Sequence, residues 1–326
     1  MPTTAVILAA GKSTRMKSNR PKVLHEVCGR SMLEHVLNAC WDAGCGTAIV
    51  VVGYGKAAVM SALADERRVV CVEQTEQLGT GHAVKVCQPL LSKLQGDVFV
   101  LAGDGPMIRG EVLRTLLQAH RDDQADASMA TAVLDEPYGY GRIIRDNAGN
   151  FLDIIEQVDC TAEQAAIKEA FPSYYCFRQD ALLLALEKLE NKNKKGEYYL
   201  TDTFGILRRL GKKVTAVQAV TAEDVLSANT RDQLADVDAG MQRRIQRSHR
   251  EAGVTIVNSE QTYIEAGAVI GLDTVVQPFS YIGSGAAIGA ECVIGPFAFV
   301  PRQSIVPEGT TVSGNAGAAA AIEFQR

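Results

Sequence analysis

Short apolar runs alternate with amphipathic stretches along the first 230 residues of the chain. The runs have the length and apolar character of buried strands, and they occur at 5–10, 48–52, 69–72, 98–102, 128–134, 151–156, 174–177 and 214–219. Apolar residues at helical spacing predict helices between them, at 31–44, 56–64, from 83 onward, at 180–190 and from 197 to about 210. Strand, helix and strand in succession predict right-handed parallel crossovers. We therefore expect an α/β domain with a mostly parallel sheet.

A different pattern begins at Ile264, where aliphatic residues recur every six positions. They are Ile264, Ile270, Val276, Ile282, Ile288, Ile294, Val300, Val306 and Val312. A small residue stands four positions after each: Ala268, Thr274, Ser280, Ala286, Cys292, Ala298, Ser304, Thr310 and Ala316. Nine consecutive hexads predict a short left-handed parallel β-helix of about three coils, with the aliphatic residues pointing inward.

A long amphipathic helix is predicted between the two patterns, at 231–252. Its apolar face contains Leu234, Val237, Met241 and Ile245. The predicted domains are therefore 1–230, a connecting helix at 231–253 and the β-helix at 254–326. Because so short a solenoid has a wide surface relative to its core, we expect a homo-oligomer, with a trimer favoured. The small-residue tail at 317–321 is expected either to cap the open end or to fray.

Composition describes an ordinary globular protein and narrows its partners. The chain has 326 residues and a net charge of −5, which argues against a nucleic-acid binder because such proteins carry a basic surplus. Its eight cysteines are scattered without a C-x-x-C pair, so we expect reduced core thiols. The first apolar run is too short for a signal peptide or a membrane span, and we expect a cytoplasmic protein.

The first candidate for a functional site is the stretch 5–22. Its apolar run breaks at Gly11 into a segment that carries five cations in eleven residues. Three small residues at the break allow backbone N–H groups to approach a phosphate closely: Ala9, Ala10 and Gly11. Positive charge for an anion is supplied by Lys12, Arg15 and Lys22, of which Lys12 is the weaker candidate. The stretch therefore predicts a phosphate-binding loop.

Two polar loops follow other strands of the predicted sheet. Residues 73–82 carry two glycines and lead from one strand toward a helix, and Asp104 comes directly after the strand at 98–102. In open α/β sheets, loops at the carboxyl ends of the strands line the ligand crevice. An aspartate at a strand end is often only a turn or a helix cap. With a phosphate loop at the same edge, a metal-ligand role for Asp104 is the better interpretation.

Several motifs resemble those of sugar-1-phosphate nucleotidyltransferases. They are Leu8-Ala9-Ala10-Gly11 with Thr14-Arg15-Met16 and Pro21-Lys22, Gln74 with Gln77-Leu78-Gly79-Thr80-Gly81, Gly141-Arg142-Ile143, Glu197-Tyr198-Tyr199 with Thr201-Asp202, and Asn229. Together with the hexads they cover nearly the whole chain. They are most similar to the uridyltransferase part of the bacterial bifunctional enzymes that also acetylate glucosamine 1-phosphate. The resemblance implies a Rossmann-like nucleotidyltransferase domain followed by hexapeptide repeats.

The resemblance also implies an activity, the Mg²⁺-dependent transfer of a uridylyl group from UTP to a sugar 1-phosphate. It assigns catalytic charge to Arg15 and Lys22, and Mg²⁺ ligation to Asp104 and Asn229. It assigns nucleotide binding to Leu8, Ala9, Ala10, Gly11, Gln74, Gly79 and Thr80. It assigns sugar binding to Gly141, Glu156 and Thr201. Because the attacking sugar-phosphate oxygen is already anionic, positioning and charge neutralisation supply most of the catalysis and no histidine is required.

The sequence departs from this family where the sugar is expected to bind. The family's Asn-x-Gly segment is replaced by residues 169–174, so Phe171 brings an aromatic ring in place of an amide to the sugar site. One hypothesis is that the acceptor differs from N-acetylglucosamine 1-phosphate; the other is that the loop takes another route and the acceptor is unchanged. Ala102 and Gly105 also differ from the aromatic and branched residues usual beside the family's Gly-Asp. Because the sequence stops after nine hexads, we expect no acetyltransferase activity.

Other functions are less consistent with these residues. Gly11-Lys12-Ser13 is similar to the end of a P-loop, but Val6 stands where that motif requires glycine. A Rossmann dehydrogenase needs G-x-G-x-x-G after its first strand, which this chain lacks. The alternative that stays open is a sugar-nucleotide-binding regulator or scaffold, assembled through the β-helix and with a degraded sugar site. Retention of the residues assigned to charge and to metal binding argues against it, since a pure binder needs no metal pair.

Overall fold

A computed structural model describes residues 1–137, 139–314 and 323–324 of the chain. Tyr138 therefore lies outside the described residues. The tail at 317–321 and Ala316, the last small residue of the hexads, lie outside them as well.

Contacts divide the chain into two compact units. The first consists of Met1–Leu24 and Met32–Thr230, and the second of His25–Ser31 together with the residues from Arg231 onward. The helix at 231–251 therefore belongs to the second unit. The division into three domains stays a prediction, because contact grouping within one chain does not test which parts fold independently.

The core of the first unit is one nine-stranded sheet. Its strands are β1 (Thr3–Ala9), β2 (Thr47–Val52), β3 (Val69–Glu73), β4 (Asp97–Ala102), β5 (Ala127–Val133), β6 (Gly141–Arg145), β7 (Phe151–Ile155), β8 (Glu169–Arg178) and β9 (Val214–Gln218). They lie in the order β9-β5-β8-β4-β1-β2-β3, and β6 pairs with both β8 and β7. The order β4-β1-β2-β3 is parallel throughout, as is the β5-β9 pair, whereas β8 is antiparallel to β4, β5 and β6. The predicted α/β fold class is confirmed.

Helices pack against this sheet in two separate layers of apolar side chains. They are α1 (Met32–Asp42), α2 (Lys56–Ala62), α3 (Thr80–Lys85), α4 (Gln88–Leu91), α5 (Gly110–Asp122), α7 (Gln179–Glu187) and α8 (Asp202–Arg209). The short helix α6 (Ala162–Ala165) contributes no buried residue. Ile7 of β1 belongs to a cluster with residues of α1 and α5, and its neighbour Val6 to a cluster with residues of α3, α7 and α8. Because successive side chains of a strand point to opposite faces, the two clusters cover the two faces of the sheet.

Several predicted element boundaries were wrong. The helix predicted from residue 197 begins only at Asp202, and helix α5 was not predicted. The run at 174–177 is only the end of the ten-residue strand β8, whose pairing with β5 is interrupted by a bulge. Pro172 and Ser173, which has a φ of 66°, lie in that bulge and hide the strand from an apolar pattern. Residues 141–143, which none of the predicted strands included, begin β6. Helix α3 begins at Thr80, three residues before the predicted Ala83.

In the second unit the hexads form three short, mainly parallel sheets. The first contains Thr255–Ile256, Val275–Val276, Val293–Ile294 and Thr311–Val312, the second Thr262–Ile264, Ser280–Ile282 and Phe299–Val300, and the third Val269–Ile270, Ala287–Ile288, Ser304–Val306 and Glu323–Phe324. Ile264 pairs with Ile282 and Ile282 with Val300, so one coil takes three hexads. The aliphatic residues from Ile264 to Val306 are buried, which confirms the predicted β-helix.

The second unit also contains helix α9 (Arg231–Glu251) and a short hairpin from the N-terminal part of the chain. The hairpin pairs Glu26–Val27 with Arg30–Ser31. Two buried glutamines join helix α9 to the first coil of the β-helix. Gln242 Nε2 donates to Ile264 O at 2.6 Å, and Gln246 Nε2 donates to Thr262 O at 2.8 Å.

All eight cysteines are free. Six are buried, whereas Cys71 and Cys160 are half-buried. In the part of the chain that the structure describes, helices lack the length and apolar character needed to cross a membrane.

Candidate active site

Four polar side chains from three loops meet at one edge of the sheet. Lys22 Nζ contacts Asp104 Oδ2 and donates to Asn229 Oδ1 at 2.8 Å. Arg15 Nη2 donates to the same Asn229 oxygen at 3.1 Å. The side chains come from the loops after β1, β4 and β9, and Arg15 and Asn229 are 214 residues apart in sequence. The structure therefore brings together all four residues assigned to catalytic charge and to metal ligation.

The start of the phosphate loop is fixed by backbone contacts. Ala9, buried, ends β1, and the carbonyl of Ala10 accepts hydrogen bonds from Tyr54 N at 3.1 Å and from Gln77 Nε2 at 2.8 Å. This close approach depends on Gly53, because a Cβ there would lie 2.8 Å from Ala10 O. The loop is thus held by the segments that follow β2 and β3.

The next part of the loop is exposed. A Cβ added to Gly11 would meet only Ser13 Oγ, at 3.9 Å, so the backbone here is open to a ligand. Ser13 and Lys17 both have a φ of 48°, a left-handed conformation that is uncommon outside glycine and that often occurs at ligand-binding loops. Lys12 Nζ lies 5.8 Å from the ring centroid of Tyr54. The segment presents backbone and charge where phosphate binding is predicted.

The loop that carries Asp104 is fastened to its neighbours by main-chain bonds. Leu8 pairs with Ala102, and Gly103 N donates to Leu8 O at 3.0 Å. From the opposite side, Ala228 N donates to Asp104 O at 3.4 Å. The loops after β1, β4 and β9 are therefore in direct contact.

Gln74, which is assigned to nucleotide binding, is buried, and its side-chain amide nitrogen has two polar neighbours. Its Nε2 donates to Gly79 O at 3.2 Å and lies 3.1 Å from His82 Nδ1. These contacts fix the plane of the amide, so that its carbonyl oxygen has a defined direction. His82 serves here as a positioning residue.

Gly79 and Thr80 connect this loop to residues 198–201. Gly79 has a φ of 110°, and a Cβ there would lie 2.6 Å from Tyr198 O. Thr80 Oγ1 accepts a hydrogen bond from Leu200 N at 3.1 Å. Gly79 and Thr80 therefore support the segment that carries Thr201.

Three residues assigned to the sugar also come together. Thr201 Oγ1 donates to Glu156 Oε1 at 3.2 Å, and a Cβ at Gly141 would lie 3.9 Å from Glu156 Oε2. Burial raises the pKa of Glu156, and the nearby Asp159 adds to this shift. Burial also raises the pKa of Asp202 to about 6, with further contributions from Glu156 and other carboxylates. The site therefore contains two carboxyl groups that resist ionisation.

Phe171 pairs through its backbone with Gly141 of this group, but its side chain lies in the core. Its ring is 3% exposed and lies 4.7 Å from the Tyr175 ring and 6.0 Å from the Phe204 ring, in an edge-to-face arrangement with both. It belongs to the apolar layer with α3, α7 and α8. This burial argues against a contact between the Phe171 ring and a sugar. The missing amide and the residues beside Gly103-Asp104 are unaffected by it, so both hypotheses about the acceptor stay predictions.

Two residues of the site were quoted in the sequence motifs without a role. Gln77 joins the loop after β3 to Ala10 through a hydrogen bond, and Asp202 lies beside Glu156. The motifs marked both positions, but neither contact is visible in sequence because the partners come from other strands.

Asp104 and Asn229 can hold a metal ion because both direct an oxygen atom to one point. Carboxylate and amide oxygens suit Mg²⁺, and a cation already lies between these two, since the Lys22 ammonium contacts both. Within the described residues, no group of three His, Cys, Asp or Glu side chains suits a metal. A Mg²⁺ here would therefore complete its coordination with water and phosphate oxygens.

Comparisons with known proteins agree with this geometry. The chain is 44% identical to the bifunctional protein GlmU of Alkaliphilus metalliredigens over 278 residues, and 44% identical to that of Clostridium tetani over 274 residues. These matches cover 85% and 84% of this chain but 60% of each relative, so the chain spans about three fifths of their length. A crystal structure of UDP-glucose pyrophosphorylase complexed with UDP-glucose matches 75% of this chain and 100% of its own, with a TM-score of 0.61. At 19% identity, this likeness shows the fold alone.

Family comparisons divide the chain in the same way as its two sequence patterns. Residues 267–302 match the bacterial transferase hexapeptide family, with six repeats. Residues 5–200, more than half of the chain, match the MobA-like NTP transferase domain. That match includes the phosphate loop, Asp104 and the paired residues Gly141 and Glu156. The chain therefore belongs to the MobA-like NTP transferase family.

Proposed function

We propose that the protein transfers a uridylyl group from UTP to a sugar 1-phosphate and releases pyrophosphate. The acceptor is N-acetylglucosamine 1-phosphate or a related sugar. The proposal is carried by the convergence of Arg15, Lys22, Asp104 and Asn229 at one edge of the sheet. Two cations and two oxygen ligands at one point suit the charge of a triphosphate and its metal.

In this reaction an oxygen of the sugar phosphate attacks the α-phosphorus of UTP, and the bond to the β-phosphate oxygen breaks. Arg15 and Lys22 stabilise the negative charge of the reacting phosphates and of the departing pyrophosphate. A Mg²⁺ held by Asp104 and Asn229 would neutralise further phosphate charge. Because the Lys22 ammonium and a Mg²⁺ cannot share one position between these oxygens, Lys22 is expected to turn toward the triphosphate.

Specificity is assigned to the neighbouring loops. Gln74 presents its carbonyl oxygen to the N3–H of uracil, because its nitrogen is engaged by Gly79 and His82. Glu156 and Thr201 bind sugar hydroxyls, and their mutual hydrogen bond orients the carboxylate. Since the Phe171 side chain is only 3% exposed, we favour N-acetylglucosamine 1-phosphate as the acceptor.

The test is pyrophosphate release by the purified chain with UTP, Mg²⁺ and a panel of sugar 1-phosphates. We expect turnover that is fastest with N-acetylglucosamine 1-phosphate. Clear preference for another sugar would refute the acceptor but not the reaction. Calorimetric binding of UTP without turnover on any sugar phosphate would instead support the regulator or scaffold.

The β-helix is proposed to assemble copies of this chain, with a trimer favoured. Phe279, Phe297 and Phe299 are 51%, 64% and 64% exposed on its surface, and the first two rings stack at 4.8 Å. Exposed stacked rings of this kind are typical of interaction surfaces. Analytical ultracentrifugation of the wild-type chain and of Phe297→Ser tests the assembly, which a monomeric wild type would refute.

The expectation that the chain lacks acetyltransferase activity stays a prediction. Acetylation of glucosamine 1-phosphate by the purified protein with acetyl-CoA would contradict it.

A further inference from the structure

The two residues proposed to hold Mg²⁺ lie on loops from distant strands of the sheet. Asp104 follows β4 and Asn229 follows β9, and strands β8 and β5 lie between them. A site made of two protein oxygens requires a fixed separation, since a misplacement of about 1 Å can cost about 100-fold in rate. A specific connection between the two loops is therefore expected.

Arg109 and Asp224 form such a connection. Arg109 lies five residues after Asp104, and Asp224 lies five residues before Asn229. Arg109 Nε donates to Asp224 Oδ1 at 2.9 Å and Arg109 Nη2 to Asp224 Oδ2 at 2.7 Å. The Asp224 side chain is only 2% exposed. Two parallel bonds between charged groups, shielded from solvent on the carboxylate side, fix both distance and orientation.

The backbone around Asp224 is held separately by two tyrosines. Tyr174 of β8 donates through its hydroxyl to Asp224 O at 2.7 Å, and the Tyr140 hydroxyl donates to Val225 O at 3.0 Å. These contacts hold the loop against the sheet. The Arg109 pair adds a side-chain connection to the Asp104 loop, besides the backbone bond from Ala228 N to Asp104 O.

We propose that Arg109 is a positioning residue for the metal site, because its ion pair with Asp224 sets Asn229 relative to Asp104. The inference rests on the proposed Mg²⁺ site. It requires the planar fork of arginine, since a lysine ammonium supplies the same charge without two parallel bonds. Residues that orient metal ligands typically contribute about 10-fold to 100-fold in metal affinity.

The test measures how much Mn²⁺, as a probe for Mg²⁺, strengthens UTP binding to the full chain. Calorimetry with UTP in Mn²⁺ and in EDTA gives this enhancement for wild type, Arg109→Lys and Asp224→Asn. We expect the enhancement to fall about 10-fold or more in both variants. UTP affinity in EDTA should stay unchanged, because the phosphate loop and the loop after β3 are intact. A merely structural role of Arg109 would lower the UTP affinity both in Mn²⁺ and in EDTA.

Arg145→Lys is the matched control. Arg145 also makes two parallel bonds to a carboxylate, at 2.7 and 2.6 Å to Glu169, within the same unit but outside the metal site. We expect this variant to lower the thermal midpoint without changing the Mn²⁺ enhancement. Full enhancement in Arg109→Lys, or an equal loss in Arg145→Lys, would overturn the proposal.

The two proposals fail in different ways. Suppose that wild-type protein binds UTP more tightly with Mn²⁺ but releases no pyrophosphate. The proposed reaction is then refuted, and the measurements on the Arg109 and Asp224 variants still decide the role of Arg109. Wild-type protein with no enhancement by Mn²⁺ overturns the role of Arg109 together with the metal site.

Discussion

Replacing Gly79 with alanine would place a methyl group against the backbone of Tyr198. The φ of Gly79 is 110°, and the new Cβ would lie 2.6 Å from Tyr198 O and 2.9 Å from Tyr198 N. The unfavourable backbone conformation costs roughly 1–3 kcal/mol. If Tyr198 moves instead, its bonds to Gly81 N and Leu78 O weaken, at about 1 kcal/mol each. A shift of Tyr198 would relieve part of the steric clash but weaken these bonds, so the two costs do not add in full. We expect the free energy of unfolding to fall by about 2–4 kcal/mol.

Urea unfolding of wild type, Gly79→Ala and Gly11→Ala measures this difference. Gly11 is also one of the residues assigned to nucleotide binding, but its added Cβ would make only an ordinary contact at 3.9 Å. We expect Gly11→Ala to change stability by less than about 0.5 kcal/mol, or to stabilise slightly by restricting the unfolded chain. Equal losses in the two variants, or no loss in Gly79→Ala, would refute the reasoning.

Three further predictions follow from other contacts. Lys22→Met should lower the rate of pyrophosphate release by about 10²–10³ because one charge on the phosphates is lost, and retention of most activity would contradict this role. Burial raises the pKa of Glu156, so this carboxyl lowers stability as pH rises above its unfolded value. Glu156→Gln removes this contribution, whereas that of Asp202 remains. The variant should melt higher than wild type near about pH 8 but not near about pH 4, and an unchanged difference would refute this cause. Ile282→Ala in the β-helix core should cost about 2–5 kcal/mol in urea unfolding, and Ile305→Ala, 38% exposed, far less; equal losses would contradict the inward assignment.

The β-helix could be predicted from sequence because its rule is local. One coil takes three hexads, so a period of six places every aliphatic residue inward without knowledge of any distant contact. The phosphate loop is predicted from an equally local pattern, since its small residues and cations are adjacent in the chain. Its function stays a prediction.

Contacts between distant segments were not predictable in the same way. The bulge at Ser173 interrupts β8, so the apolar pattern showed only the last part of a ten-residue strand. Phe171 lies within that strand and in the core, which the apolar pattern did not show. The bond between Arg109 and Asp224 spans 115 residues, and no local pattern marks either partner.

The candidate site has one half assigned to the nucleotide and one half assigned to the sugar. Different contacts stabilise these two halves. The nucleotide half rests on backbone contacts, such as those of Ala10 O with Tyr54 and Gln77, which satisfy polar groups and favour the fold. The sugar half concentrates Glu156 and Asp202, whose raised pKa values mean that their charged forms are disfavoured in the folded protein. Substitutions in the sugar half should therefore alter the acceptor with little loss of stability, or even a gain, whereas substitutions in the nucleotide half should destabilise the fold and weaken UTP binding together.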